Sequence, residues 1–367
     1  MGIQSRKQMK NHCKTIMSEI SSFLPIKCRF IPSAGRRNVK FLSILTLLLL
    51  CLPACGKKKR VIHPPPRHDK NIVGSSLLRM VPFGSDFLLW GDLAKIRRWG
   101  PVNNLMNEDG KELKNFVSRF QQVHGLDPWK ELDQVLITAP LQGSHRAIKL
   151  VLKGEGIGES LLGSMPSYMK KLRKGELKKS RYREVILLEV GGMCLGFPQK
   201  DIVLSASGIW VRRAVDIIRG ISEKPILENK ELLNLWRSLT SERMGGKPVV
   251  LAAGIIPEAL SDRISGELGI GVRLESIGLR IQTGSWLGVK GVIQVAEKKQ
   301  ANQLVMGIQK WIYGIVKSPK VLDLGIGDLA NLLFVHSEGK SVYLQFNIPG
   351  ELFEKIVGIA FKREKST

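Results

Sequence analysis

Ile277-Gly278-Leu279-Arg280-Ile281-Gln282, followed after a short connection by Val289-Lys290-Gly291-Val292-Ile293-Gln294-Val295, reads as a long strand pair. Behind it Leu304, Ile308, Trp311, Ile312 and Ile315 recur at the spacing of one helix face. Two more strands follow, Leu332 to His336 and Val342 to Ile348, and then a last helix carrying Leu352, Ile356 and Ile359. Upstream, Val249 to Ala253 is a strand and Pro257 opens a short helix.

The preceding residues show a similar order. Phe87 to Trp90 reads as a buried strand, and Asp92 is placed to cap the helix after it. Leu113, Phe116, Val117, Phe120 and Val123 mark a further helix, stopped by Gly125. Gln134 to Thr138 and Ala147 to Leu152 are paired strands around the loop Pro140 to His145, and Cys194 reads as a buried strand residue. Val211, Ala214, Val215 and Ile218, then Leu232, Leu235, Trp236 and Leu239, give two helices with one apolar stripe each. Aligning Leu136 with Leu279, Leu150 with Val292, Leu204 with Gln345 and Val215 with Val357 gives offsets of 143, 142, 141 and 142. The pattern predicts an α+β fold in two tandem halves, 77–240 and 241–367, with the steady offset expected of a duplication. Each half is expected to be a mainly antiparallel sheet with helices on one face. The two sheets either join or face each other across a cleft, and the pattern leaves both open.

Ahead of the halves the composition changes. Arg36, Arg37 and Lys40 flank a nearly unbroken apolar run from Phe41 to Leu52, which ends in Leu52-Pro53-Ala54-Cys55. A charged flank, an apolar run and small residues before the cut form an export signal. The run is shorter than the roughly 20 residues that a membrane span needs. Residues 1–35, with Cys13 and Cys28, are not required by such a signal and are read as an over-extended start. Residues 55–76 read as a basic, proline-rich tether, containing Lys57-Lys58-Lys59-Arg60 and Pro64-Pro65-Pro66.

Leu52, Pro53, Ala54 and Cys55 resemble the lipobox of bacterial diacylglyceryl lipoproteins, with proline as a departure at the second position. The resemblance implies a diacylglycerol thioether on Cys55 and an acylated new N-terminus. Gly56 after the cysteine resembles the sorting pattern for outer-membrane delivery, so the outer membrane is favoured over the inner. Arg36-Arg37-Asn38-Val39-Lys40 also resembles a twin-arginine signal, but its apolar residues are displaced, and general secretion is the favoured route. The remainder is similar to uncharacterised predicted lipoproteins of Gram-negative bacteria. Three stretches carry that similarity: Trp90-Gly91-Asp92-Leu93, Gly125 to Trp129 with Leu132 to Val135, and Val211 to Asp216. It implies architecture and no activity.

Removing the nine cations and one carboxylate of residues 1–54 from totals of 57 and 32 leaves 48 against 31, a net charge of +17 on 313 residues. On an exported chain such a charge points to anionic lipid headgroups or an acidic envelope partner. Nucleic acid is not expected, for want of aromatics interleaved with the cations and of a cytoplasmic address. Cys55 and Cys194 alone remain after cleavage, and lipidation consumes the first, so no internal disulfide forms.

One charge cluster stands apart. Lys170, Lys171, Arg173, Lys174, Lys178, Lys179, Arg181 and Arg183 lie between Tyr168 and Tyr182 with only Glu176 against them. Together with Lys57, Lys58, Lys59 and Arg60 they are the candidate anionic-surface residues, the alternative being a solvated helix and loop face.

Catalytic signatures are missing. The sequence has no G-x-S-x-G elbow, Walker loop, H-E-x-x-H or paired C-x-x-C. Glycines at 154–158, 269–271 and 325–327 lack the dinucleotide fingerprint, and no two histidines of the two halves share a ligand spacing. Neither metal nor cofactor is expected, and the chain reads as a non-enzymatic binding or scaffold module. A carrier holding an apolar ligand near Trp286, Leu287, Trp311 and Tyr313 is the alternative, and a hydrolase with dispersed carboxylates is a third. Sequence leaves the oligomeric state open.

Overall fold

Two aspartates set the local geometry after two of the early elements. The Asp92 carboxylate accepts from the Lys95 amide at 3.0 Å and caps helix Leu93–Arg98. Asp127 accepts from the Trp129 and Lys130 amides at 2.9 and 3.2 Å, with Pro128 in the first turn, while the Asp127 amide donates to Glu131 at 2.9 Å. Both satisfy amides that a helix start leaves without partners.

The computed structural model describes residues 72–104, 126–141, 148–172, 177–221, 224–240, 247–269, 271–316 and 332–354, with 117, 118 and 121 besides. The predicted leader, Cys55, Lys57 to Arg60 and most of the helix around Phe116 and Phe120 lie outside them. Strands in chain order are β1 Phe87–Asp92, β2 Gln134–Ala139, β3 Lys149–Lys153, β4 Lys178–Tyr182, β5 Val185–Val190 and β6 Met193–Gln199. They continue as β7 Ile202–Ala206, β8 Pro248–Ile255, β9 Leu274–Thr283, β10 Trp286–Val295, β11 Leu333–Glu338 and β12 Ser341–Pro349. The longer described helices are α1 Ile157–Leu172, α2 Gly208–Ile218, α3 Lys230–Thr240, α4 Glu258–Leu268 and α5 Lys298–Val316.

All twelve strands form one antiparallel sheet, in the order β11-β12-β10-β9-β8-β1-β2-β3-β7-β6-β5-β4. The halves therefore join. β1 pairs with β8 through Trp90 opposite Leu251 and Phe87 opposite Gly254, and with β2 on its other side. The order β1-β2-β3-β7-β6 recurs in the second half as β8-β9-β10-β12-β11, and the first half adds β5 and β4. That is a likeness of topology, not of residues: Leu204 is buried, whereas Gln345 at its offset is half-buried.

Helices cover both faces of the sheet rather than one. Leu204 belongs to a core with Val211 and Val215 of α2 and Trp236 and Leu239 of α3. Its neighbour Val203 belongs to a separate core with Ile157 and Leu161 of α1. Since successive strand residues point to opposite faces, α1 and α2 lie on opposite sides. In the second half Ala301 and Leu304 of α5 pack with Val295 and Val342, and Leu239 of α3 approaches Gly278 from the other side. Near-continuous apolar stretches such as Ile202-Val203-Leu204 are what burial on both faces requires.

Candidate functional site

The predicted cationic cluster divides between two elements. Lys178, Lys179 and Arg181 are exposed on β4, which is a strand and not a helix or loop, at one free edge of the sheet. Lysines there discourage pairing with another chain. Arg183 is committed to the fold: its Nε meets Asp216 of α2 at 2.5 Å, and the Tyr182 hydroxyl donates to the same carboxylate at 3.1 Å. Lys170 and Lys171 fall in the last turn of α1, while Arg173 and Lys174 lie outside the described residues.

Other singled-out residues take local roles. Asp133 pairs with Arg97 at 3.0 Å, whose guanidinium also donates to the Leu132 carbonyl. Cys194 is buried on β6, and burial, then Glu189, pushes its thiol up to about 11. Trp286 and Leu287 point to opposite faces by strand alternation, and Trp311 and Tyr313 belong to α5, so the structure does not gather the four around one cleft. Among the described residues no group of three or more His, Cys, Asp or Glu could hold a metal ion.

A buried polar cluster escaped the sequence. Ser85 and Thr138, both fully buried, share a hydrogen bond of 3.1 Å, and Lys149 Nζ donates to Ser85 Oγ at 3.2 Å. The ammonium lies 6.0 Å from the Trp210 ring centre. Burial, and then Arg213, lowers the Lys149 amine to about 8, with Asp86 opposing. Hydroxyl beside amine is the chemistry of a base-activated nucleophile. Sealed from solvent, the Ser85 hydroxyl here serves packing: it gives the Lys149 head an acceptor.

The titration has a measurable consequence. The folded protein holds the Lys149 proton more weakly than the unfolded chain, whose amine titrates at 10.5. Stability therefore rises with pH from about 8 to 10.5, because the unfolded state binds more protons there. Cys194 acts oppositely between 9.0 and about 11, which leaves pH 8 to 9 as the clean window. Urea unfolding should show a gain of about 1 kcal/mol from pH 8 to pH 9, absent in Lys149→Met.

In the second half Leu239 of α3 packs against Gly278 and shares a core with Val292, and the half-buried Tyr343 flanks that core. On the side of the sheet that bears Gly278 and Val292, the outer strands present Lys290, Gln345 and Phe334 in one row of partners and Val292, Tyr343 and His336 in the next. Phe334 is 62% exposed, its ring centre 5.1 Å from His336, which stacks on Tyr343 at 5.1 Å and 18°. Trp286 lays its indole over Gly288, where a Cβ would meet ring carbon Cζ3 at 2.1 Å. Opposite Gly288 stands Asn347, whose buried side-chain oxygen has no hydrogen-bond donor. Beneath, the fully buried Arg280 donates to Gln282 at 3.2 Å and to the Leu239 carbonyl at 2.7 Å, holding the sheet to α3. The signal was in the sequence: Trp286-x-Gly288-x-Lys290, Phe334-x-His336 and Tyr343-x-Gln345-x-Asn347 are period-two faces, set against an apolar reverse of Val342, Leu344, Phe346 and Ile348.

Fold and surfaces define the class: an α+β protein on one twelve-stranded antiparallel sheet, with helices on both faces and no described metal cluster. No family model and no curated protein matches the chain. Among solved structures, crystal form III of TP0453 is similar over 77% of this chain and 97% of that one, at 10% identity and a TM-score of 0.41. Crystal form I of the same protein gives 12% and 0.41 over 77% and 96%, and form IV 11% and 0.39 over the same shares. Likeness at that level carries no argument about activity.

Proposed function

We propose that the chain is an exported lipoprotein, acylated on Cys55 and facing the periplasm as a non-enzymatic binding or scaffold module, with the outer membrane as the favoured address. The observation that carries this is the order of charged flank, apolar run and Leu52-Pro53-Ala54-Cys55. The start of the fold supports it. Ile72, the first described residue, is already in the core with Leu77 and Leu78, so at most the sixteen residues from Gly56 to Asn71 separate an acylated Cys55 from the domain. Lys57 to Arg60 would then lie at the headgroups, each adding about 1 kcal/mol on an anionic surface. No described helix is long and apolar enough to cross a membrane. Two or more acyl chains would supply a stable attachment.

Cys55→Ser should move the protein from the membrane to the soluble fraction of cell envelopes. Mass spectrometry of the native protein should find an N-terminal peptide beginning at an acylated Cys55. An unmodified peptide running from Val39 through Lys57 would overturn the proposal.

A further inference from the structure

We propose that one end of the first half is a docking rim for an anionic phospholipid bilayer. This rests on the anchored protein proposed above only for the nearness of a membrane, and the chemistry of the rim does not depend on the lipid.

Strand register assembles the rim. The pairings of Thr138 with Lys149, Leu150 with Ser205 and Cys194 with Ala206 put the start of β3, the end of β7 and the start of β6 at the same end of the sheet. α2 begins there too. A Cβ on Gly208 would lie 3.9 Å from Cys194 Cβ, and the Trp210 ring centre is 6.0 Å from Lys149 Nζ. Ile148, Met193 and Ile209, each next in sequence to one of those residues, are 55%, 54% and 74% exposed. Single exposed aliphatic residues are ordinary, but three gathered at one end of the sheet mark a surface for something apolar.

Cations flank them. Lys178 stands opposite Glu189, which in turn stands opposite Cys194, so the exposed Lys178 and Lys179 begin β4 at this same end. α1 starts at the other end, where the Gly158 amide donates to the Lys200 carbonyl between β6 and β7 at 2.9 Å, and its 16 residues carry the chain about 24 Å back. Its last turn thus brings Lys170 and Lys171 to the approach to β4. The start of α2 adds the positive end of a helix dipole. Aliphatic tips among lysines suit a bilayer, because the tips enter the acyl boundary while the ammonium groups stay with the lipid phosphates. A protein partner fits less well: its binding patches are rich in Tyr, Trp and Arg and poor in Lys. The sixteen residues between Cys55 and Ile72 span about 50 Å when extended, enough for the rim to touch the bilayer that holds the lipid.

The test places an environment-sensitive nitrobenzoxadiazole dye on Ile209→Cys in the native protein and adds vesicles of phosphatidylcholine, alone or mixed with phosphatidylglycerol. Protein without the substitution, treated identically, gives the background, and Met306→Cys on α5, 61% exposed, is the control position. Brighter, blue-shifted emission from position 209 is expected with the anionic vesicles alone. Replacing Lys178 and Lys179 together by Gln should lower the ratio of docked to undocked protein about thirtyfold. All four substituted side chains are exposed, so the variants keep the fold. No change at 209 with anionic vesicles, an equal change with neutral ones, an equal change at 306, indifference to the double lysine substitution, or a change that grows with protein concentration without vesicles, as a second copy of the chain would cause, would each overturn the proposal. Sedimentation with the neutral vesicles reads the acyl anchor separately, so its failure would count against acylation of Cys55 while the response at 209 still judges the rim.

Discussion

Trp236→Ala should lower the unfolding free energy by about 4 kcal/mol, within the range for removing a fully buried tryptophan. Trp236 has no exposed surface, and its indole N–H donates to the Val73 carbonyl at 3.1 Å. Its α3 position places it in the core that contains Leu77 and Leu78 before the sheet, Trp90 on β1 and Leu251 on β8. Truncation thus opens a cavity and leaves a carbonyl short of a donor at the place where the N-terminal segment and both halves meet. Urea denaturation of the full chain measures it. Ile209→Ala, on the surface, should shift the midpoint by less than about 0.5 kcal/mol equivalent. A loss below about 1 kcal/mol for Trp236→Ala would mean that α3 does not knit the halves together.

The second large effect comes from a single methyl group. Gly154→Ala would place a Cβ 1.8 Å from the Glu131 carbonyl oxygen, an approach between two backbones that no rotamer relieves. The same stretch is pinned on both sides, by the Gly154 amide donating to Asp201 at 3.0 Å and the Asp133 amide donating to Lys153 at 2.8 Å. One of these must break or the helix at Pro128–Glu131 must move, so a loss of about 3 kcal/mol is expected. Gly163→Ala is the internal contrast. It lies in α1 with nothing near its added carbon, and should stabilise the protein by about 0.5 to 1 kcal/mol. Thermal or urea unfolding of the pair checks both signs, and equal behaviour of the two glycines would defeat the argument.

The face of β10, β12 and β11 was legible only in part. One alternative reading of the sequence sets Trp286 and Leu287 together beside an apolar ligand. Strand alternation sends them to opposite faces, and Trp286 instead lies over Gly288. Lys178, Lys179 and Arg181 were visible as a charge cluster, but their lodging on an edge strand was not, since charge masks the weak strand pattern of β4. Thr138 and Lys149 lie 53 and 64 residues after Ser85, and only the register that lays β1 beside β2 and β2 beside β3 brings the three together.

By itself the sequence determined the local matters: the capping of two helices by Asp92 and Asp127, the apolar stripes of α2, α3 and α5, the long strand pair at Ile277, and a fold class of helices with antiparallel strands. Each depends on interactions within a few residues, so composition and period are sufficient. Tertiary structure decided that the halves share one sheet through β1 and β8, and that helices cover both faces of it. Those outcomes rest on pairing across some 160 residues, as between Trp90 and Leu251, where the choice of partner belongs to the burial of both faces at once and not to either strand alone.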